Sequence, residues 1–195
     1  MKNKVSRSSI LGILVAAGWV FVPATGCAQP GDLTGTGEFT GFVAGSFGMG
    51  THPAAGGSAG TDFSRYGMAL VEVAYQPLGT RTIQPWPAAS TVNRSYLLDF
   101  NFCVHVRIPI KSRWAPYAIA GVGLLWDGVK QNSTGPYGNA IFKNFNQFNG
   151  ALETGGGVRY YIRENWGIRP EAKVIVSKTT YTRVSMGIFY VLPNF

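Results

Sequence analysis

Two side chains able to do covalent chemistry, Cys103 and His105, stand two residues apart in the stretch YLLDFNFCVHVRI (96–108), and Asp99 and Arg107 belong to the same alternating set. In an extended chain, side chains at i and i+2 lie on one face, so this thiol and imidazole have the spacing of a nucleophile and its base. The other face carries Tyr96, Leu98, Phe100, Phe102, Val104, Val106 and Ile108. A period of two over thirteen residues is a strand with one oily and one polar side. Chemistry at Cys103 and His105 requires the polar side to be open to a substrate. The alternation reads the same whether that side faces solvent or a packed interior.

The polar set recurs along the chain. Opposite oily strand faces lie Glu38, Glu72, Asp99, Glu153 and Glu171, with His105, Arg107, Arg159, Arg169, Lys173 and Arg183 beside them. GIRPEAKVIV (167–176) is the clearest case, with Ile168, Ala172, Val174 and Val176 on one face and Arg169, Glu171 and Lys173 on the other. Both signs therefore share one surface, concentrated in mid-strand. Burial of such a set is tolerable only if acids and bases pair.

Other chemistry is poorly provided for. His52 sits beside Pro53 with no acid nearby in sequence, and two histidines with one isolated cysteine do not have metal-ligand spacing. GTGEFTG and GGSAG are glycine-rich, but no helix follows to aim N–H groups at a phosphate. No catalytic residue, cofactor or metal is expected.

The elements that position these residues start after a leader. Lys2, Lys4 and Arg7 precede the apolar run ILGILVAAGWVFV (10–22), and PATGCAQP offers Gly26 and Ala28 as a small-residue cleavage site. This predicts a signal peptide over 1–28, too short to be a spanning helix, then a flexible lead-in (29–36) and one domain (37–195). Cleavage removes three of the seventeen bases and none of the nine acids, so the formal charge falls from +8 to +5. With no Lys/Arg cluster beside stacking aromatics, nucleic acid is not an expected partner. Cys27 lies in a loose lipobox, ATGC, and Cys103 is left without a disulfide partner.

In the domain, alternation predicts strands at 37–49, 67–77, 94–108, 116–126, 148–162, 167–177 and 181–192. PAAGGSAGT (53–61) is an eighth strand or a loop, because glycine weakens strands. The short turns 62–66, 109–114 and 163–166 alternate with predicted loops at 78–93 and 127–146. Aromatics gather near strand ends: Trp114, Tyr117 and Trp166 at one end, Trp126, Phe145 and Phe148 at the other. Tight turns at one end, longer loops at the other and aromatic girdles predict an all-β, eight-stranded antiparallel up-and-down transmembrane β-barrel with a polar, plugged interior. A soluble sandwich with its charges outside is the competing architecture. In the barrel, Glu72, Asp99, Glu153 and Glu171 are expected to neutralise Arg107, Arg159, Arg169 and Lys173, and the Cys103–His105 pair faces that packed lumen.

Three passages resemble the small outer-membrane β-barrel family that includes the OmpA-like transmembrane domain. PYAIAGVGLLW (116–126) resembles its Pro-Tyr-x-x-x-Gly-x-Gly strand. ALETGGGVRYYIRENWGIRPEAKVIVS (151–177) is similar to its glycine-rich hairpin with a charged returning strand. RVSMGIFYVLPNF (183–195) is similar to its closing strand, apart from Pro193. The resemblance implies an outer-membrane protein with periplasmic termini, a monomer in contact with outer-membrane lipid. It also implies that Phe195 is the insertion signal read by the barrel insertion machinery. A structural or surface-interaction role follows, with Trp86, Tyr137, Phe142 and Phe145 as possible loop contacts. The alternatives are an exported lipocalin-like or loop-mediated ligand-binding protein, and, further off, a barrel lipid hydrolase. For the last, Ser112 and Ser177 lie near strand ends, with neither histidine clearly placed to serve them.

Overall fold

The computed structural model describes residues 35–86, 89–108, 112–134 and 140–192. The expected signal peptide, Cys27, Tyr137 and Phe195 lie outside the described residues.

Eight antiparallel strands follow one another: β1 (Gly37–Phe47), β2 (His52–Asp62), β3 (Gly67–Trp86), β4 (Ala89–Arg107), β5 (Trp114–Thr134), β6 (Ala140–Arg163), β7 (Trp166–Val176) and β8 (Tyr181–Leu192). Each pairs with its neighbours in sequence, and β1 closes on β8 from Gly37↔Leu192 to Phe47↔Thr182. The protein is a closed, up-and-down β-barrel.

Residues 53–61 are strand. β2 pairs along its length with β1 and, from Ala55 to Asp62, with β3. Its low propensity is outweighed by ladder bonds on both sides, and its small residues have a packing use. A Cβ at Gly56 or Gly60 would collide with the backbone of β3.

The two expected long loops are not loops. β3 and β4 stay paired out to Trp86↔Ala89, β5 and β6 out to Thr134↔Ala140, and β4 and β5 out to Ser90↔Thr134. These four strands continue as an arm past the level where β1 turns into β2 and β7 into β8. Phe142 and Phe145 are consequently strand residues, paired with Asn132 and Val129, and Trp86 ends β3. The sequence shows no oily alternation there because the arm has no barrel interior to fill. Hydrogen-bonded ladders hold it extended without an apolar face. A bulge between Pro77 and Gly79, where Gly79 has φ 109°, resets the register of β3 as it leaves the barrel.

The faces sort cleanly. Phe39, Val43, Val71, Phe100, Phe102, Leu124, Leu152 and Ile188 point outward, with Phe102 51% exposed, Leu124 58% and Ile188 62%. Aromatic pairs flank this band: Trp114–Tyr160 toward the short-turn end, Trp126–Phe148 and Tyr75–Tyr96 toward the arm.

Candidate functional site

The charged side chains meet inside the barrel. Glu38, Glu72, Asp99, Glu153, Glu171, His105, Arg107, Arg159, Arg169, Lys173 and Arg183 are all buried, and Arg159 is 0% exposed. Alternation puts them there: each occupies the parity opposite the outward apolar residues of its own strand.

Their ion pairs form one continuous string of alternating sign. Arg159 on β6 contacts Glu38 on β1 (Nε–Oε2 3.1 Å), which also accepts from Arg169 on β7 (Nη1–Oε1 3.0 Å). Arg169 reaches Glu171 (3.6 Å), and Glu171 meets Lys173 (3.0 Å). Lys173 donates to both oxygens of Glu72 on β3 (2.9 and 2.8 Å) and lies 3.6 Å from Glu153 on β6. Glu72 pairs with Arg183 on β8, whose guanidinium also donates to Asp99 on β4 (2.6 Å). Six strands contribute charges. β2 adds the Ser58 hydroxyl, 3.2 Å from Arg169, and β5 the Tyr117 hydroxyl, which donates to Glu171 at 2.8 Å.

Neutral groups fix the geometry. The Tyr117 ring lies 4.8 Å from the Arg159 guanidinium and stacks on His105 at 4.6 Å. Arg159 also donates to His105 Nδ1 (3.3 Å) and to the Met68 sulfur. Gly157 must be glycine, since a Cβ there would strike the Tyr117 hydroxyl and come within 2.7 Å of the Pro170 carbonyl oxygen. Apolar clusters lie on either side of the charges along the barrel axis. Ala115, Tyr161, Phe189 and Val191 cluster at the short-turn end. Leu97, Leu125, Ala151, Ile175 and Tyr181 cluster at the arm end, with Met49 and Leu78 packed against them.

The partners differ from those expected of the sequence in three respects. Arg107 pairs with Asp62, a residue assigned to a turn but in fact the buried last residue of β2. Glu38 and Arg183, absent from the expected pairing, are central to the string. Cys103 does not engage His105: its thiol contacts Glu153, while His105 lies against Arg159 and Tyr117. Asp62 was legible in one respect: it keeps the parity of Ser58 on β2.

Of the remaining polar candidates, His52 and Ser112 serve turns, donating to the Met49 (3.2 Å) and Trp114 (3.0 Å) carbonyls, while Ser177 donates across to the Gly150 carbonyl of β6 (2.7 Å). Among the described residues no group of three or more His, Cys, Asp or Glu side chains has metal-binding geometry.

Fold and site together define a class: a small up-and-down barrel with apolar side chains outside and an ion-paired interior. No family model and no curated protein matches the chain. Among solved structures it is similar to the N-terminal β-barrel domain of Pseudomonas aeruginosa OprF, at 14% identity over 82% of this chain and 98% of that one, with a TM-score of 0.49. Similar too are Ail, the attachment invasion locus protein of Yersinia pestis (11%, 82% and 99%, 0.49), and Neisserial surface protein A (14%, 82% and 98%, 0.49).

Proposed function

We propose that this chain is an integral protein of the bacterial outer membrane, a monomeric, non-catalytic barrel with a sealed lumen and a structural or surface-interaction role. The observation that carries the reading is its inverted polarity: Phe39, Phe102, Leu124 and Ile188 are exposed while Arg159 and Arg183 are not. Water would penalise that exterior, and hydrocarbon accepts it. Strands β1, β2 and β7 have 11 residues each and β8 has 12, which suits a tilted crossing of about 9–11 residues. The same polarity counts against a soluble ligand carrier, whose apolar side chains would line the cavity.

Short turns at one end and a projecting arm at the other match the periplasmic and extracellular ends of outer-membrane barrels. This orientation puts both ends of the barrel domain in the periplasm and the arm, with Phe142 and Phe145, at the cell surface. The interior ion-pair string and the apolar clusters flanking it support a lumen closed to ions.

Membrane fractionation and planar-bilayer recording test this reading. The expected result is recovery in detergent-extracted outer membrane, heat-modifiable gel mobility and no steady conductance. Recovery in the soluble periplasm would overturn the membrane assignment. A large, steady conductance would overturn the sealed lumen.

A further inference from the structure

We propose that the outer face of the arm, at the root where it leaves the barrel, binds the phosphate of a lipid headgroup through Arg94 and Lys130. This inference rests on the membrane reading above.

Cross-strand register sets the outward side chains in rows across β3, β4, β5 and β6. The row Tyr75, Leu98, Trp126, Phe148 closes the apolar band with aromatics. Four rungs further out, the second outward row along, comes Thr80, Arg94, Lys130, Asn144. Arg94 and Lys130 are direct partners on adjacent strands, so their Cβ atoms lie roughly 5 Å apart on one face, an arrangement that repels. Neither makes an ion pair with a described carboxylate. Asp127, on β5, has the opposite parity and accepts instead from Asn149 (2.8 Å). Two matched cations with no acid, between a threonine and an asparagine, form a cradle for an anion.

The surroundings say which anion. An open groove of about 500 Å³ runs between Tyr75, Pro77, Tyr96, Trp126, Arg94 and Lys130. Its inner part is aromatic and apolar, and its outer part is cationic. The Lys130 ammonium leans back over the Tyr96 ring, 5.7 Å from its centroid. Four residues of strand separate Trp126 from Lys130. At ~3.4 Å each and a tilt near 45°, the cations stand about 10 Å beyond the aromatic row. With Lys130 drawn inward, they meet the headgroup layer that flanks the hydrocarbon. A free inorganic phosphate would use only the outer part, whereas a phosphorylated lipid fills both. The Gly79 bulge contributes by bringing Thr80 into register with Arg94.

The test is native mass spectrometry of the full mature chain refolded in a neutral detergent, offered dioleoyl phosphatidic acid or phosphatidylcholine. We expect selective retention of the phosphatidic acid. R94Q and K130Q should each weaken it about fivefold, and the double variant roughly 25-fold. R81Q, which removes a charge from the opposite face of the same arm, should change retention less than twofold. Equal concentrations of inorganic phosphate should not compete. Wild-type retention in R94Q/K130Q, equal loss in R81Q, or full competition by inorganic phosphate would each overturn the site while leaving the barrel's membrane assignment intact. Failure of the wild-type chain to enter phosphatidylcholine vesicles in a heat-modifiable form would overturn the membrane reading, and this site with it.

Discussion

Replacing Lys173 with methionine tests whether the barrel interior is dry. Methionine preserves length and apolar volume but removes the cation that Glu72, Glu171 and Glu153 share at 2.8, 3.0 and 3.6 Å. Glu72 retains Arg183, and Glu171 retains Arg169 and the Tyr117 hydroxyl. Among the described residues, the hydrogen-bond partner that Glu153 retains is the Cys103 thiol. Breaking a buried pair by removing one partner costs about 3–5 kcal/mol. With Glu153 left without an ion-pair contact and only the more distant Arg183 to offset it, K173M belongs near 4–5 kcal/mol. E72Q belongs near 3 kcal/mol, because Lys173 keeps Glu171 and Arg183 keeps Asp99. The double variant should fall short of the sum by roughly 1.5 kcal/mol, since each single change already removes the shared contact. Equilibrium urea unfolding in lipid vesicles, followed by tryptophan emission and gel mobility, measures all three. At a slope of about 2 kcal/mol per molar, K173M should lower the midpoint by about 2 M. A fall of less than about 0.5 M at unchanged slope would mean that water screens the carboxylates, and the dry, paired interior would be refuted.

Four further outcomes follow from the same geometry. Tyr117→Phe, which loses one donation to a buried carboxylate, should cost about 2 kcal/mol in the urea assay. Gly157→Ala should destabilise by about 2 kcal/mol, and by slightly less in a Tyr117→Phe background, which removes the hydroxyl contact but keeps those with the ring carbon and the Pro170 carbonyl oxygen. Leu124→Arg, on the outward apolar band, should cost roughly 2–4 kcal/mol in bilayers, while Asn132→Arg, on the same face of β5 but in the arm, should change stability by less than about 0.5 kcal/mol. The Cys103 thiol, 0% exposed, should resist a water-soluble maleimide until urea opens the barrel, and rapid labelling of the folded protein would show that solutes enter the interior.

Alternation made the barrel legible, because one-sided strands leave few ways to hide their oily faces. In β4, the parity of Leu97, Asp99, Asn101, Cys103, His105 and Arg107 was plain from residue types alone. Parity does not name partners. Arg183 meets Glu72 and Asp99 across 111 and 84 residues, and Arg169 meets Glu38 across 131, distances over which local pattern is silent. Asp62 was hidden by its neighbours: Asp-Phe-Ser-Arg-Tyr has the composition of a turn, and the turn begins one residue later. The arm was illegible for a different reason. Composition distinguishes a strand from a loop only when one face must avoid water, and at 78–93 and 127–146 neither face is bound to do so. The cationic row on the arm shares this cause, because adjacency of Arg94 and Lys130 exists only once β4 and β5 are known to stay paired that far out.

The string of ion pairs bears on how the barrel is made. Among the buried carboxylates and Lys/Arg cations, the first four strands contribute Glu38, Asp62, Glu72 and Asp99 against Arg107. The last four contribute Arg159, Arg169, Lys173 and Arg183 against Glu153 and Glu171. Each half taken by itself is electrically unbalanced, and Glu38, Glu72 and Asp99 find their counterions only in the half synthesised later. On the membrane reading, either half alone would be a poor solute for hydrocarbon, so closure of β1 on β8 is expected to accompany entry into the bilayer. Severed between β4 and β5, the two fragments would still carry opposite surpluses that draw them back together.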